Sequence, residues 1–397
     1  MNYQFANCSI DPVRHEFTCD GQVIHIEPQV FDVLLLLVRH VGDLVTRDHL
    51  IEEVWKGLVV SDSTISARIS AARAAVGDNG KDQRIIKTIS RRGFQMVVPV
   101  HINTIGTSGD SAPSPQAGQV IRFTHSADGL KIAYAISGNG PPLVRVGHWL
   151  SHLELDWQSS VWRPLLDALG ANHRLYRYDQ RGTGLSEREF KGENIDEFVN
   201  DLKAVADVNR LEIFPIFAAS QATPVAIKFA ALYPERVSKL ILFGGYAEGR
   251  AFRTSSPTDV DENTALALVR SGWGRHGSAF VKAFSALFMP DGTQEQIDEF
   301  VRIQLESASP ESAVKLRKLV DRFSVTKFLS KVRAPTLVIH ANADVIHPIA
   351  QGRLLASEIP DARFVMLDSR NHVPLPQHPS WKVMMTEIDT FLRSADA

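Results

Sequence analysis

The chain has 397 residues, 44% hydrophobic and 22% charged, with a formal net charge of −2. It is too long for one average domain, its composition is that of a soluble globular protein, and with no global basic excess any nucleic-acid contact must come from a local patch. No charged-then-apolar leader opens it and its longest apolar run, Val33 to Val38, is far short of the ~20 residues that span a bilayer, so a cytoplasmic protein with no membrane partner is expected.

In chain order, Tyr3–Ile10, His15–Cys19 and Gln22–Ile26 alternate apolar and polar residues, which predicts strands, with turns at Asp11-Pro12 and Asp20-Gly21. Cys8 and Cys19 lie in this region and are expected as reduced strand residues, a two-cysteine switch being the alternative. Pro28–His40 carries Val30, Phe31, Leu34, Leu37 and Val38 on one helical face. A second helix, Arg47–Trp55, follows the N-cap residue Thr46. A third, capped by Asp62 or Ser63, runs to Val76 and stops at Gly77. Ile85–Ile89 and Phe94–Val98 then form a hairpin around Arg91-Arg92-Gly93.

Strands, three helices and a closing hairpin make a winged helix-turn-helix, an α+β domain over residues 1–100. In such motifs the second helix of the pair enters the major groove; here that is Ser63–Val76. With Ile65, Ile69 and Ala72 in the core, Thr64, Arg68 and Arg73 are expected to face DNA. Lys87, Arg91 and Arg92 on the hairpin reach phosphates or a flanking groove. Only Asp78 and Asp82 oppose the basic residues Arg68, Arg73, Lys81, Arg84, Lys87, Arg91 and Arg92, an asymmetry suited to phosphate binding. The segments GDLVTRDHLIEEVW, SDSTISARISAARAAVG and IIKTISRRGFQMVV together resemble the OmpR/PhoB-type winged helix from Tyr3 to Pro99. That resemblance implies double-stranded DNA as a partner, with Ser63–Val76 as recognition helix and Arg91–Gly93 as wing. In two-component regulators this domain follows a phosphorylatable receiver; here it comes first, which argues against phosphorelay control.

His101–Gln119 (HINTIGTSGDSAPSPQAGQ) has no apolar periodicity and is expected to be a flexible linker. Beyond it, residues 120–397 alternate strand and helix patterns. Val120–His125 and Lys131–Ile136 read as a hairpin. Leu143–Val146, Arg174–Asp179, Ile213–Phe217, Lys239–Phe243, Thr336–His340 and Arg363–Leu367 read as buried strands of a doubly wound, mainly parallel sheet. A mostly helical insertion at about 250–332 would cap the carboxyl edge of that sheet, where such folds bind ligands.

Three residues on this edge suggest nucleophilic catalysis. Ser220, in FAASQA, sits between a strand and a helix, flanked by the small residues Ala218 and Ala222 that a sharp turn needs. Asp344 and His372 each follow a later strand. Their roles would be nucleophile, imidazole-orienting acid and general base for Ser220, Asp344 and His372. Asp368 and Glu248 are alternative acids. The backbone N–H groups of Trp149 and Gln221 are the candidate oxyanion hole, with Gly147-His148-Trp149 standing where His-Gly is usual. DQRGTGLSE, FAASQATPVAIKFAALYPERVSKLILFG and APTLVIHANAD…NHVP are similar to the α/β-hydrolase superfamily over Val120–Leu392, apart from the cap. SHLELDW with RGTGLS resembles a subgroup fused to regulatory or nucleotide-cyclase domains. The DQRGTGLS segment is expected to be structural, anchored by Arg181.

No cluster has metal-ligand spacing and no glycine-rich phosphate loop precedes a helix, so no metal or cofactor is expected. Three functions fit. The chain is a regulator whose capped pocket senses, and slowly hydrolyses, a small apolar or ester-like ligand; or an esterase- or lactonase-type serine hydrolase; or a regulator that uses its second domain only to dimerise. A homodimer is the expected state.

Overall fold

Ala6 takes a positive φ of 49°, and the chain reverses at Ala6-Asn7. The stretch read as one strand is therefore a hairpin, Asn2–Phe5 (β1) against Cys8–Asp11 (β2). Glu16–Cys19 (β3) and Gln22–Val23 (β4) extend the sheet. This turn puts Cys8 directly opposite Cys19, Cα atoms 4.0 Å apart, and the two are joined as a disulfide rather than reduced. The computed structural model describes residues 2–12, 16–20, 22–24, 26–55, 60–90, 92–103, 118–192, 194–253, 270, 272–273 and 278–394.

Pro28–Arg39 (α1) starts with proline at its first turn and buries Val30, Phe31, Val33, Leu34, Leu36, Leu37 and Val38. Val45–Thr46 (β5) precedes Arg47–Trp55 (α2), where Thr46 Oγ1 accepts from the His49 N–H. Asp62–Ala75 (α3) is capped by Ser61, whose hydroxyl accepts from the Thr64 N–H; the cap is thus one residue before the two candidates read from sequence. The wing strands Ile86–Ile89 (β6) and Gly93–Met96 (β7) pair with each other, and β7 pairs with β5. Gly93 is required here, since a Cβ would lie 2.1 Å from the Val45 carbonyl oxygen. Val100–Asn103 (β8) pairs with the free edge of β1. The edge of β1 thus draws three residues that composition assigned to the linker into the sheet of the first unit. Residues 104–117 lie outside the described residues.

The chain divides into the units Met1–Pro113 and Ser114–Ala397. In the second, the strands are Val120–His125 (β9), Lys131–Ser137 (β10), Pro142–Arg145 (β11), Arg174–Tyr178 (β12), Phe214–Ala219 (β13), Val237–Phe243 (β14), Thr336–Ala341 (β15) and Ala362–Leu367 (β16). They form one sheet in the order β16-β15-β14-β13-β11-β12-β10-β9, parallel except for β9 and β10. Every residue of β15 is buried and β14 is nearly so, as expected for strands covered on both faces. The helices outside the cap are Leu153–Gln158 (α4), Arg163–Gly170 (α5), Ile195–Val208 (α6), Ala222–Leu232 (α7), Ile349–Glu358 (α12) and Ser380–Arg393 (α13).

The described part of the cap contains Ala279–Ala286 (α8), Gln294–Ser307 (α9), Pro310–Val320 (α10) and Thr326–Leu329 (α11). Its two ends are stitched together: the Gly249 N–H donates to the Phe323 carbonyl (2.7 Å) and the Val325 N–H to the Ala247 carbonyl (2.9 Å). The DQRGTGLS loop is structural. The fully buried Arg181 guanidinium binds both oxygens of Asp201 (2.6 and 2.8 Å) and Asp128 (2.8 Å). A Cβ on Gly184 would lie 2.2 Å from Asp179.

Candidate functional site

The candidate DNA surface differs from its sequence reading in one main respect. Arg73 is buried, not presented to DNA. Its Nε and Nη2 donate to the Ile86 carbonyl (3.0 and 2.8 Å) and Nη2 also to Thr88 Oγ1 (2.7 Å), tying α3 to the wing. Helical periodicity set from Ile65, Ile69 and Ala72 places position 73 toward β6, and an arginine there reaches the nearest free carbonyl. Arg68 is half-buried, held by Glu27 (2.5 Å) and Gln29 (3.0 Å) at the start of α1. Thr64 is half-buried beside the Ser61 cap. Lys87 and Arg92 are exposed, and Arg91 lies outside the described residues. The exposed residues of α3 are Asp62, which is paired with Arg47, and Ser63, Ser66, Ala67, Ser70 and Ala74. Sequence reasoning missed these by selecting charge, although the same periodicity assigns them.

In the second unit three strand ends converge. Ser220 follows β13 and precedes α7 with a φ of 56°, so the serine is thrust out of the turn. Its N–H donates to the Phe243 carbonyl (2.8 Å), and Thr223 Oγ1 donates to its carbonyl (2.8 Å). Ala218 and Ala222 are fully buried against neighbouring elements, so alanine meets the packing demand usually met by glycine.

Asp344 Oδ2 accepts from His372 Nδ1 at 2.7 Å, while Oδ1 accepts from the N–H groups of Ile346 (2.8 Å) and His347 (3.1 Å). Burial would raise the Asp344 pKa, but His372, the His347 N–H and the nearby His340 together hold it below the ordinary carboxylate value. The His372 backbone N–H is fixed by the Phe288 carbonyl of the cap (2.9 Å). Of the alternative acids, Asp368 Oδ1 accepts from Asn342 and Glu248 pairs with Ser324 in an isolated bridge. Neither has a recorded bond to His372 among the described residues.

Ser220 and His372 line one small pocket, with His148, Trp149, Trp162, Leu165, Phe243, Phe288 and Phe300 among its walls. Its lining is mainly apolar and aromatic, the usual character of a small-molecule site. Among the described residues the backbone N–H groups of Trp149 and Gln221 donate no hydrogen bond, and both residues are buried. His148, which replaces the usual glycine, turns inward: its Nδ1 meets the Trp149 carbonyl (2.9 Å) and its Nε2 meets Asp156 (3.3 Å). Burial, then Arg145, lower its pKa. Behind it, burial pushes Asp179 up to about 7.

The Ser220 hydroxyl does not bond His372 in this rotamer. It meets Nε2 of a second histidine, His347, at 3.3 Å. Sequence reasoning missed His347; its place three residues after Asp344 is the only signal. The arrangement can orient one imidazole through a carboxylate, expose a hydroxyl and offer two backbone donors, the components of acyl transfer. Among the described residues no group of three or more His, Cys, Asp or Glu is placed to hold a metal. No helix among them is long and apolar enough to cross a membrane.

Comparison with known proteins fits both units. Residues 21–96 match the family "Transcriptional regulatory protein, C terminal", and residues 159–375 match "Serine aminopeptidase, S33". A putative carbamate hydrolase, RutD of Azorhizobium caulinodans, is 27% identical over 254 residues, covering 63% of this chain and 91% of that protein. The transcriptional activator CadC of Escherichia coli is 32% identical over 92 residues; these are 23% of this chain but only 18% of CadC. Among solved structures, an esterase from Exiguobacterium antarcticum superposes with a TM-score of 0.59 at 20% identity, over 68% of this chain and 99% of that one, which bears on fold alone. The N-terminal unit is an OmpR/PhoB-type transcription-regulator domain, and the chain belongs to the serine aminopeptidase S33 family of α/β-hydrolase-fold proteins.

Proposed function

We propose that this chain is a cytoplasmic, homodimeric transcription regulator whose hydrolase-fold domain takes up, and hydrolyses, a small apolar ester-, lactone- or amide-like molecule. Occupancy of the pocket shifts how the N-terminal domains engage double-stranded DNA. The observation that carries this reading is the Asp344–His372 hydrogen bond at the rim of the apolar pocket containing Ser220, on the same chain as a winged helix. Ser220 is the nucleophile, His372 the general base, Asp344 its orienting acid, and the Trp149 and Gln221 N–H groups the oxyanion donors. Thr64, Lys87, Arg91 and Arg92 supply DNA contacts alongside the serine-rich face of α3; Arg68 contributes only by exchanging Glu27 for phosphate.

A second reading, in which hydrolysis is the main role, is favoured by the likeness to a putative carbamate hydrolase along 91% of that protein. One experiment separates the two. Turnover of 4-nitrophenyl acetate and butyrate is measured for the full chain and for Ser220→Ala. Binding to a duplex selected from random sequence by the same protein is measured with and without each ester. Ester-dependent DNA affinity that persists in Ser220→Ala supports the regulator. Turnover lost in Ser220→Ala, with DNA affinity indifferent to ester, supports the enzyme. Neither turnover nor an ester effect overturns both.

A further inference from the structure

His347 has no part in the Ser–Asp–His arrangement, yet its Nε2 is the atom that meets the Ser220 hydroxyl, at 3.3 Å. Its other ring nitrogen, Nδ1, meets Arg253 Nη2 at 3.4 Å. A guanidinium can only donate, so Nδ1 must be an acceptor and carry no proton. A neutral imidazole then carries its proton on Nε2, and Nε2–H donates to Ser220 Oγ. The ring is locked from several sides. Its backbone N–H is held by Asp344 (3.1 Å), its carbonyl meets His340 Nε2 (2.9 Å), and Tyr246 packs on it with centroids 4.6 Å apart. Burial, with His372 and Arg253 adding to it, keeps the imidazole well below its ordinary pKa and hence neutral.

We propose that His347 is a second catalytic imidazole of this site, a fixed Nε2–H donor to the Ser220 oxygen that assists its departure when an acyl-enzyme is hydrolysed. The proposal rests on the hydrolase reading of Ser220. In the free protein the donor already bonds the Ser220 hydroxyl, so it stabilises the starting state of acylation as well as the transition state, and acylation gains little from it. During deacylation the balance reverses. Water adds to the acyl carbon and its proton passes to His372 Nε2. As the tetrahedral adduct collapses, the carbon–Oγ bond breaks, its electron pair stays on Oγ, and Oγ takes the proton back from His372. The hydrogen bond from His347 strengthens as that charge builds and transfers no proton itself. In the resting protein the same bond leaves the Ser220 hydroxyl hydrogen free to turn toward His372.

The test uses the full chain with 4-nitrophenyl acetate, stopped-flow kinetics and intact-mass detection of the acetyl-enzyme. His347→Leu is expected to slow deacylation about tenfold, the worth of one hydrogen bond to a charged oxygen, while acylation does not slow, so acetyl-enzyme accumulates. His347→Gln, which keeps an N–H at similar reach, is expected to restore most of the deacylation rate. Long-range ¹⁵N–¹H correlation on histidine-labelled wild type, assigned with the Gln variant, is expected to show His347 as the Nε2–H tautomer. That tautomer together with the selective deacylation defect supports the proposal. Acylation and deacylation falling together, unchanged kinetics in His347→Leu, or the Nδ1–H tautomer in wild type overturns it and leaves the hydrolase reading intact. Wild type that shows the tautomer but is never acylated overturns the hydrolase reading, and the role of His347 falls with it.

Discussion

Replacing Asp344 by asparagine tests the orienting acid without changing its shape. Oδ1 of Asp344 accepts from two backbone N–H groups, those of Ile346 at 2.8 Å and His347 at 3.1 Å, so that position must remain an oxygen. The introduced amide nitrogen therefore takes the place of Oδ2 and points a donor at His372 Nδ1, where a 2.7 Å bond now runs the other way. To accept it, Nδ1 must give up its proton, which moves to Nε2. A base with its proton already on the working nitrogen cannot take one from Ser220. The expected loss is about 10⁴-fold in acylation, or about 5 kcal/mol of barrier, with little change in thermal unfolding because the side chain keeps its volume and its Oδ1 bonds. The assay is single-turnover acylation by 4-nitrophenyl acetate, with fluorophosphonate labelling of Ser220 as a second readout. Acylation within about tenfold of wild type, in a variant that folds normally, refutes the assignment of Asp344 and directs attention to Glu248 or Asp368.

Four further outcomes follow from the structure. Arg73→Ala is expected to lower the unfolding free energy of the N-terminal domain by about 2–4 kcal/mol, since it leaves the Ile86 carbonyl unpaired and cuts α3 from the wing. Lys87→Ala and Arg92→Ala are expected to leave stability unchanged and each to reduce the slope of log affinity against log salt by about 1; urea unfolding and salt-dependent duplex binding separate the two classes. Asp78 is buried, which would raise its pKa, but the N–H groups of Asn79, Arg84, Ile85 and Ile86 outweigh burial and hold it below its ordinary 3.8. Its folded pKa is the lower one, so its stabilisation is fully present above about pH 4 and is lost as pH falls through the depressed value. Acid titration followed by amide exchange over residues 62–96 should show that loss, and Asp78→Asn should flatten it. Arg181→Met is expected to destabilise the hydrolase-fold domain by about 3–5 kcal/mol, because it strands the buried Asp201 carboxylate; a thermal unfolding shift confined to that domain checks it.

The strands of the second unit could be read almost residue by residue. β13, β14 and β15 are near-continuous apolar runs, and a parallel sheet covered on both faces tolerates little else. The candidate residues Ser220, Asp344 and His372 stood out for the same reason, each just past a strand that announced itself. Periodicity likewise set the three helices of the winged helix, and Thr46 marked the start of one.

What sequence alone determined is thus local: which segments repeat at two or 3.6 residues, and which chemical groups fall at their ends. Only the folded chain decided the pairings made across space. The positive φ at Ala6 turned one expected strand into two and set Cys8 beside Cys19. The edge of β1 drew residues 101–103 out of the linker. Arg73, for all its charge, faces a carbonyl of the wing, while uncharged serines occupy the open face. His347 meets Ser220 across 127 positions of sequence. A side chain's identity fixes what bonds it can make, but which partner lies within 3.5 Å depends on backbone path and on the burial competing for each polar group, and those are properties of the whole fold.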